Sequence, residues 1–379
     1  MRQRVYDALV CLAMAAMATA LILFPRETTQ AAKDGLTLCG NVIVPSLFPF
    51  FVLSTLVVET GVSRRFGRLL EPIMRPLFNV GGDCVTPMVL GFIGGYPVGA
   101  KTVISLYESG GCTKTEAERL LSFCNNSGPA FIFGVVGAGV FASGRIGLLL
   151  YLAHCAASIC VGVLFRKWGS GAAPSKAKRA VRPKPKPFAA AFTESVRSSF
   201  QSTVNICGFV IFFTVFIKML FLTGALPALA RGIGALLSPL GMDAEWAERL
   251  LTGVIEISSG VWTLSGAREL TASVAMAAFM LGWAGLSVHS QVLSFIGTSG
   301  LSVKTYILGK LLQGLLSAGL VFALSRVLLP SAPASYLAEQ VGVFTRVGFV
   351  RAGAISCVAA LIMFGIFAAA SRGHAKTRD

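Results

Sequence analysis

The stretches VLGFIGGYPVGAKTVISL (Val89–Leu106) and LLSFCNNSGPAFIFGVVGAG (Leu120–Gly139) are apolar enough for lipid. Each is nevertheless broken in its middle by Gly, Pro, Asn or Ser. The second half of the chain repeats the arrangement with LLTGVIEISSGVWTLSG (Leu250–Gly266) and FMLGWAGLSVHSQVLSFIG (Phe279–Gly297), interrupted by Glu, Ser, His and Gly. In hydrocarbon an unpaired backbone polar group costs several kcal/mol, so a helix breaks only where protein or a water-filled cavity re-satisfies it. Interrupted segments in corresponding positions of two halves point to the substrate site of a carrier.

Composition agrees. The chain is 54% hydrophobic and 13% charged, which excludes an ordinary soluble domain. The net charge of +16 lies in short segments between apolar runs, where Lys and Arg set topology, and no basic groove with stacking aromatics is present. Nucleic acid is therefore not an expected partner. The cysteines show no metal-ligand spacing and read as small apolar filler. HExxH, GxSxG and paired catalytic carboxylates are absent, so an intramembrane enzyme is disfavoured, and no cofactor or metal is expected.

Spans are predicted near 8–24, 36–58, 120–142, 146–165, 200–223, 271–296, 303–329 and 351–370. The first is read as a retained helix, because cleavage after Ala18-Thr19-Ala20 would leave LILF at the new terminus. The organisation expected is an N-terminal helix (1–35), repeat 1 (36–165), a basic linker and lead-in (166–199), repeat 2 (200–330), and a C-terminal helix with a basic tail (331–379). Leu69-Leu70-Glu71-Pro72 and Leu236-Leu237-Ser238-Pro239 align the repeats. Arg2 and Arg4 place the N-terminus inside, Arg64, Arg65, Arg68 and Arg75 fall in the cytoplasm, and the linker is cytoplasmic only if 84–106 dips in and returns. With 248–266 entering from the other side, the fold class is an all-α polytopic membrane protein. It has two inverted-topology repeats, each with a re-entrant hairpin and a broken helix.

At the first tip, Gly95, Tyr96 and Pro97 cannot continue a plain helix, and Lys101 one turn later is a candidate cation beside an anionic substrate. Asn125, Asn126 and Ser127 offer amides and a hydroxyl at the second break. Glu256, with Ser258 and Ser259, either carries a coupling ion or caps the half-helix that begins there. Ser287, His289 and Gln291 supply polar edges at the fourth break, and His154 reads as structural.

PSLFPFFVLS (45–54), LLEPIMRPLF (69–78), GYPVGAK (95–101), AERLLSFCNNSGPAFIFG (117–134) and GLSVHSQVLSF (285–295) together resemble the family of sporulation integral membrane proteins called YlbJ or SpoVV. That family lies in the nucleoside-recognition Gate group, related in fold to concentrative nucleoside transporters. The resemblance implies a role in endospore formation and export of dipicolinic acid from the mother cell across the outer forespore membrane. It also implies a binding role for Tyr96, Pro97, Lys101, Asn125, Asn126 and Ser127.

One charge crossing 100 mV is worth about 2.3 kcal/mol, so a dianion leaving a negative-inside compartment gains roughly 4.6 kcal/mol without a coupling ion. The expected partners are a small anionic solute and the bilayer. A homo-oligomer and, from the resemblance, other sporulation membrane proteins are left open. So are a nucleoside or small-solute transporter coupled to Na⁺ or H⁺ through Glu256, and a non-transport scaffold acting through the linker.

Overall fold

The computed structural model describes residues 2–60, 72–169, 186–267 and 269–328. The expected span at 351–370, the basic tail, most of the linker and Arg64, Arg65 and Arg68 lie outside these residues. Among the described residues all regular structure is helical. Four helices among the described residues are long and apolar enough to cross a membrane, or up to six if each bent pair counts as one span.

Two successions of similar elements follow one another among the described residues. In the first, α1 (Arg2–Leu23) and α2 (Pro25–Leu38) precede α3 (Val44–Glu59), which α2 enters through a wide turn, Cys39–Ile43. That turn falls just before Pro45 and Pro49, whose missing N–H groups already weaken regular α-helical bonding. The short α4 (Pro72–Phe78) follows, then α5 (Val85–Gly94) and α6 (Val98–Glu108), which form a hairpin. Next comes a broken helix: α7 (Lys114–Phe123), an extended stretch, and a wide-turn helix over Ala130–Val140. The full-length α8 (Gly144–Leu164) closes the half.

The second half repeats this order. It runs through α9 (Phe188–Leu222), the short α10 (Ala225–Leu237), a hairpin of α11 (Ala244–Ile255) and α12 (Ile257–Trp262), a broken pair α13 (Leu270–Trp283) and α14 (Gly285–Ser299), and α15 (Val303–Leu328). This order is consistent with the two repeats expected. One boundary differs. The 35-residue α9 begins at Phe188, so the lead-in after the linker is already helix. At 1.5 Å per residue it is about 52 Å long, well beyond the hydrocarbon core. Its start is pinned to the end of α3, where Lys186 pairs with Glu59 at 2.9 Å.

Glycine closes both hairpins. A Cβ on Gly99 would lie 3.0 Å from Gly91 Cα, and one on Gly260 would lie 2.1 Å from Gly253 Cα. The arms of each hairpin thus touch backbone to backbone. The same glycines seat the first hairpin on the break of its own half: Cβ atoms at Gly91 and Gly99 would meet Cys124 O at 1.6 and 1.9 Å.

Candidate functional site

The extended stretch after α7 leaves carbonyls that no helix pairs, and three of them have another partner or neighbour. Phe123 O accepts from Asn126 Nδ2 (2.8 Å) and Ser158 Oγ (2.7 Å). Cys124 O lies against Gly91 and Gly99. Asn125 O accepts from Lys310 Nζ at 2.8 Å. Lys310, on α15, is fully buried and also donates to Gln313 Oε1 (2.7 Å) and Tyr96 Oη (3.1 Å). Gln313 Nε2 donates to Asn126 Oδ1 (2.8 Å) and lies 3.2 Å from His154 Nε2. His154 Nε2 also accepts from the Ser127 backbone N–H at 3.1 Å. His154 is therefore part of the central network, where the sequence had suggested an isolated structural histidine.

The other breaks join this network. The first hairpin turns at Gly95, whose φ of +73° and ψ of −171° suit glycine alone. Beyond it Tyr96 Oη donates to Leu281 O on α13 at 2.5 Å. The α13–α14 break is made by two consecutive residues of positive φ, Ala284 and Gly285. Trp283 Nε1 there donates to Val254 O of the second hairpin (3.1 Å). His289 Nδ1 is 2.9 Å from Tyr306 Oη, which also accepts from Asn125 Nδ2 at 3.5 Å. Glu256 caps α12 with both carboxylate oxygens, accepting from Ser258 N (2.9 Å) and Ser259 N (2.6 Å). Of the two roles foreseen for it, this geometry is that of the cap.

A cavity of about 600 Å³, counting the part open to the outside, lies between the hairpin tips and the helices α3 and α9. One wall is polar: Gly95, Tyr96 and Ser127 from the first half, Glu256, Ser258, Ser287 and Gln291 from the second. The facing wall is apolar, with Leu47, Phe51, Phe209 and Val210. Ser127 Oγ is buried and has no hydrogen-bond partner, which leaves a hydroxyl on this wall for a ligand.

Six residues selected from sequence stand elsewhere. Asn125 and Asn126 are fully buried and brace the break. His289 supports Tyr306 and packs edge-on to Trp283. Pro97 begins α6 behind the tip. Ser259 Oγ lies 3.2 Å from Thr214 Oγ on α9, facing a second hollow lined by Thr214, Lys218 and Arg249. Lys101 is exposed. On α6 the buried face is Gly99, Ala100, Val103 and Ile104, so the next position around the helix is turned away from the break.

The cation buried at the break is Lys310, which the sequence reading missed. A signal was present: Tyr306, Lys310, Gln313 and Ser317 recur at helical spacing within an apolar run and are all fully buried.

Over 326 residues the chain is 33% identical to the sporulation integral membrane protein YlbJ of Bacillus subtilis (strain 168), covering 80% of this chain and 79% of that protein. The chain belongs to the YlbJ family. Residues 42–145 also match the Gate family, described as nucleoside recognition. That match spans α3, the first hairpin and the first broken helix, so it covers the first-half wall of the cavity.

The fold is shared with CNTnw. Its inward-facing substrate-bound state aligns at a TM-score of 0.55 with 14% identity, covering 84% of this chain and 85% of that one. The intermediate 2 state of CNTnw N149L aligns at 0.57 over 86% of each chain, again at 14% identity. A chain of the YlbJ family is an integral membrane protein, and its fold is the one seen in CNTnw.

Proposed function

We propose that this YlbJ-family protein is a carrier for a small planar anion, held in the cavity between the hairpin tips and α9. The specific candidate is dipicolinic acid, exported from the mother cell across the outer forespore membrane. Support for a carrier comes from the breaks converging on one cavity with a polar and an apolar wall. Phe51 and Phe209 offer an apolar face to an aromatic ring, and Ser127, Ser287 and Gln291 offer polar groups to its edges.

The observation that carries the anion is Lys310. It is buried among neutral oxygens, and no carboxylate pairs with it among the described residues. An uncompensated buried charge costs several kcal/mol. A negative ligand against Tyr96 and Ser127 offsets that cost.

Glu256 lines the same cavity and favours a second reading, a neutral nucleoside whose donors meet that carboxylate. Purified protein in liposomes decides between them. Labelled dipicolinate should cross by a saturable route that excess nucleosides do not block, and Lys310→Met should lower its apparent affinity about tenfold. Flux of nucleosides but not dipicolinate would overturn the anion reading. A folded protein that moves neither would overturn both.

A further inference from the structure

Where a membrane helix unwinds, its freed carbonyls form an oxygen-lined seat for a small cation. At the break after α7 a side chain occupies that seat. The Lys310 ammonium is held by a backbone carbonyl from the break (Asn125 O, 2.8 Å), an amide oxygen (Gln313 Oε1, 2.7 Å) and a phenol oxygen (Tyr96 Oη, 3.1 Å). The face of the Tyr96 ring lies 5.0 Å from the same nitrogen, close enough for cation–π attraction.

The oxygens are presented deliberately. Gln313 spends its Nε2 on Asn126 Oδ1 and on the side of His154, so its carbonyl oxygen must face the ammonium. Tyr96 spends its proton on Leu281 O, so its oxygen faces the ammonium as an acceptor. Both side-chain ligands of the nitrogen are thus fixed as acceptors by a bond on their far side, and the third, Asn125 O, is a carbonyl that can only accept. Such a neutral oxygen cage is built for a monovalent positive charge, and an ammonium is a compact one with three donors.

We infer that Lys310 is a tethered cation, standing at a helix break of the kind whose freed carbonyls can seat a mobile Na⁺ or K⁺. The ammonium joins the first hairpin, the first break and α15 permanently, so assembly of the cage requires no alkali cation. Shortening the side chain turns the cage into an alkali-cation site. The inference rests on the carrier reading only for its meaning in transport; the cage is tested by binding, without any substrate.

Lys310→Ala and Lys310→Ser are purified in detergent, the serine supplying one further oxygen. Thermal unfolding is followed while NaCl or KCl replaces choline chloride at constant ionic strength. The variants should gain about 2 °C or more in Tm with one of the two cations, and the native chain should not respond. A folded variant indifferent to both cations would overturn the proposal, as would native protein stabilised by Na⁺ or K⁺ over choline. Should neither variant fold under any condition, the native protein still decides: its Tm, and its flux of whatever solute it carries, must be the same within about twofold in Na⁺, K⁺ and choline.

Discussion

Gly99→Ala probes the contact on which the first half turns. The added Cβ would lie 1.9 Å from Cys124 O and 2.8 Å from its carbonyl carbon. A relaxed carbon-to-oxygen contact is about 3.3 Å, so the hairpin arm or the Cys124 peptide must move by roughly 1.4 Å. Both carry bonds that cannot stretch so far. The next residue, Asn125, gives its carbonyl to Lys310 at 2.8 Å and receives Ala100 N on its side-chain oxygen at 3.4 Å. Overpacking costs about 1–3 kcal/mol. Loss of the bond from the charged lysine adds about 1.5–3 kcal/mol.

The variant should therefore unfold at a clearly lower temperature than native protein and lose most of its liposome flux while still inserting. Gly297→Ala is the matched control. It lies within α14 with nothing within 4 Å of the new methyl, and helix propensity makes alanine the better residue by about 1 kcal/mol. Native Tm and flux in Gly99→Ala would refute the close approach, and with it the seating of the hairpin on the break.

Lys101→Ala should leave dipicolinate flux near the native level, because the residue is exposed on α6; a tenfold loss would restore the anion role first read for it. Glu256→Ala removes both acceptors at the start of α12 and should lower stability by about 1–2 kcal/mol. Glu256→Gln keeps one acceptor and should transport with an unchanged dependence on the Na⁺ and H⁺ gradients, whereas abolished coupling would make the carboxylate an ion carrier. Ser127→Ala deletes a buried hydroxyl that has no protein partner, so Tm should hold while substrate affinity falls two- to tenfold. A fall in Tm with unchanged affinity would remove Ser127 from the binding wall.

The parts of the fold that sequence reveals are those where lipid forbids an ordinary residue. GGYP, NNSGP and EISSG announce their breaks because Gly, Pro and polar side chains are costly in hydrocarbon without a reason. The cavity is indeed lined by Gly95, Tyr96, Ser127, Glu256, Ser258, Ser287 and Gln291. Direction is what the sequence conceals. Lys101 sits four residues from Pro97 along the chain, yet one step around α6 turns it to the outer face. Lys310 is more than two hundred residues from Tyr96 and meets it through the packing of α15. Asn125 and Asn126 have the chemistry of ligands, but a break in the bilayer must satisfy its own backbone first, and their amides are absorbed in that task. Glu256 is a similar case, an acid whose oxygens are both taken by the peptide groups that follow it.

The residues that complete the first-half break are made last. Asn125 O waits for Lys310, Asn126 Oδ1 for Gln313, and Tyr96 Oη for Leu281 O, each roughly 185 residues further along the chain. While the ribosome is still adding α9, the opening half holds an unwound segment in which Asn125 O, Asn126 Oδ1 and Tyr96 Oη lack their final partners. Biogenesis therefore has a vulnerable interval, and its length is set by the time needed to synthesise the second half. A truncated chain ending after α8 should remain a client of membrane quality control, and co-expressing residues 186–379 as a separate piece should rescue it.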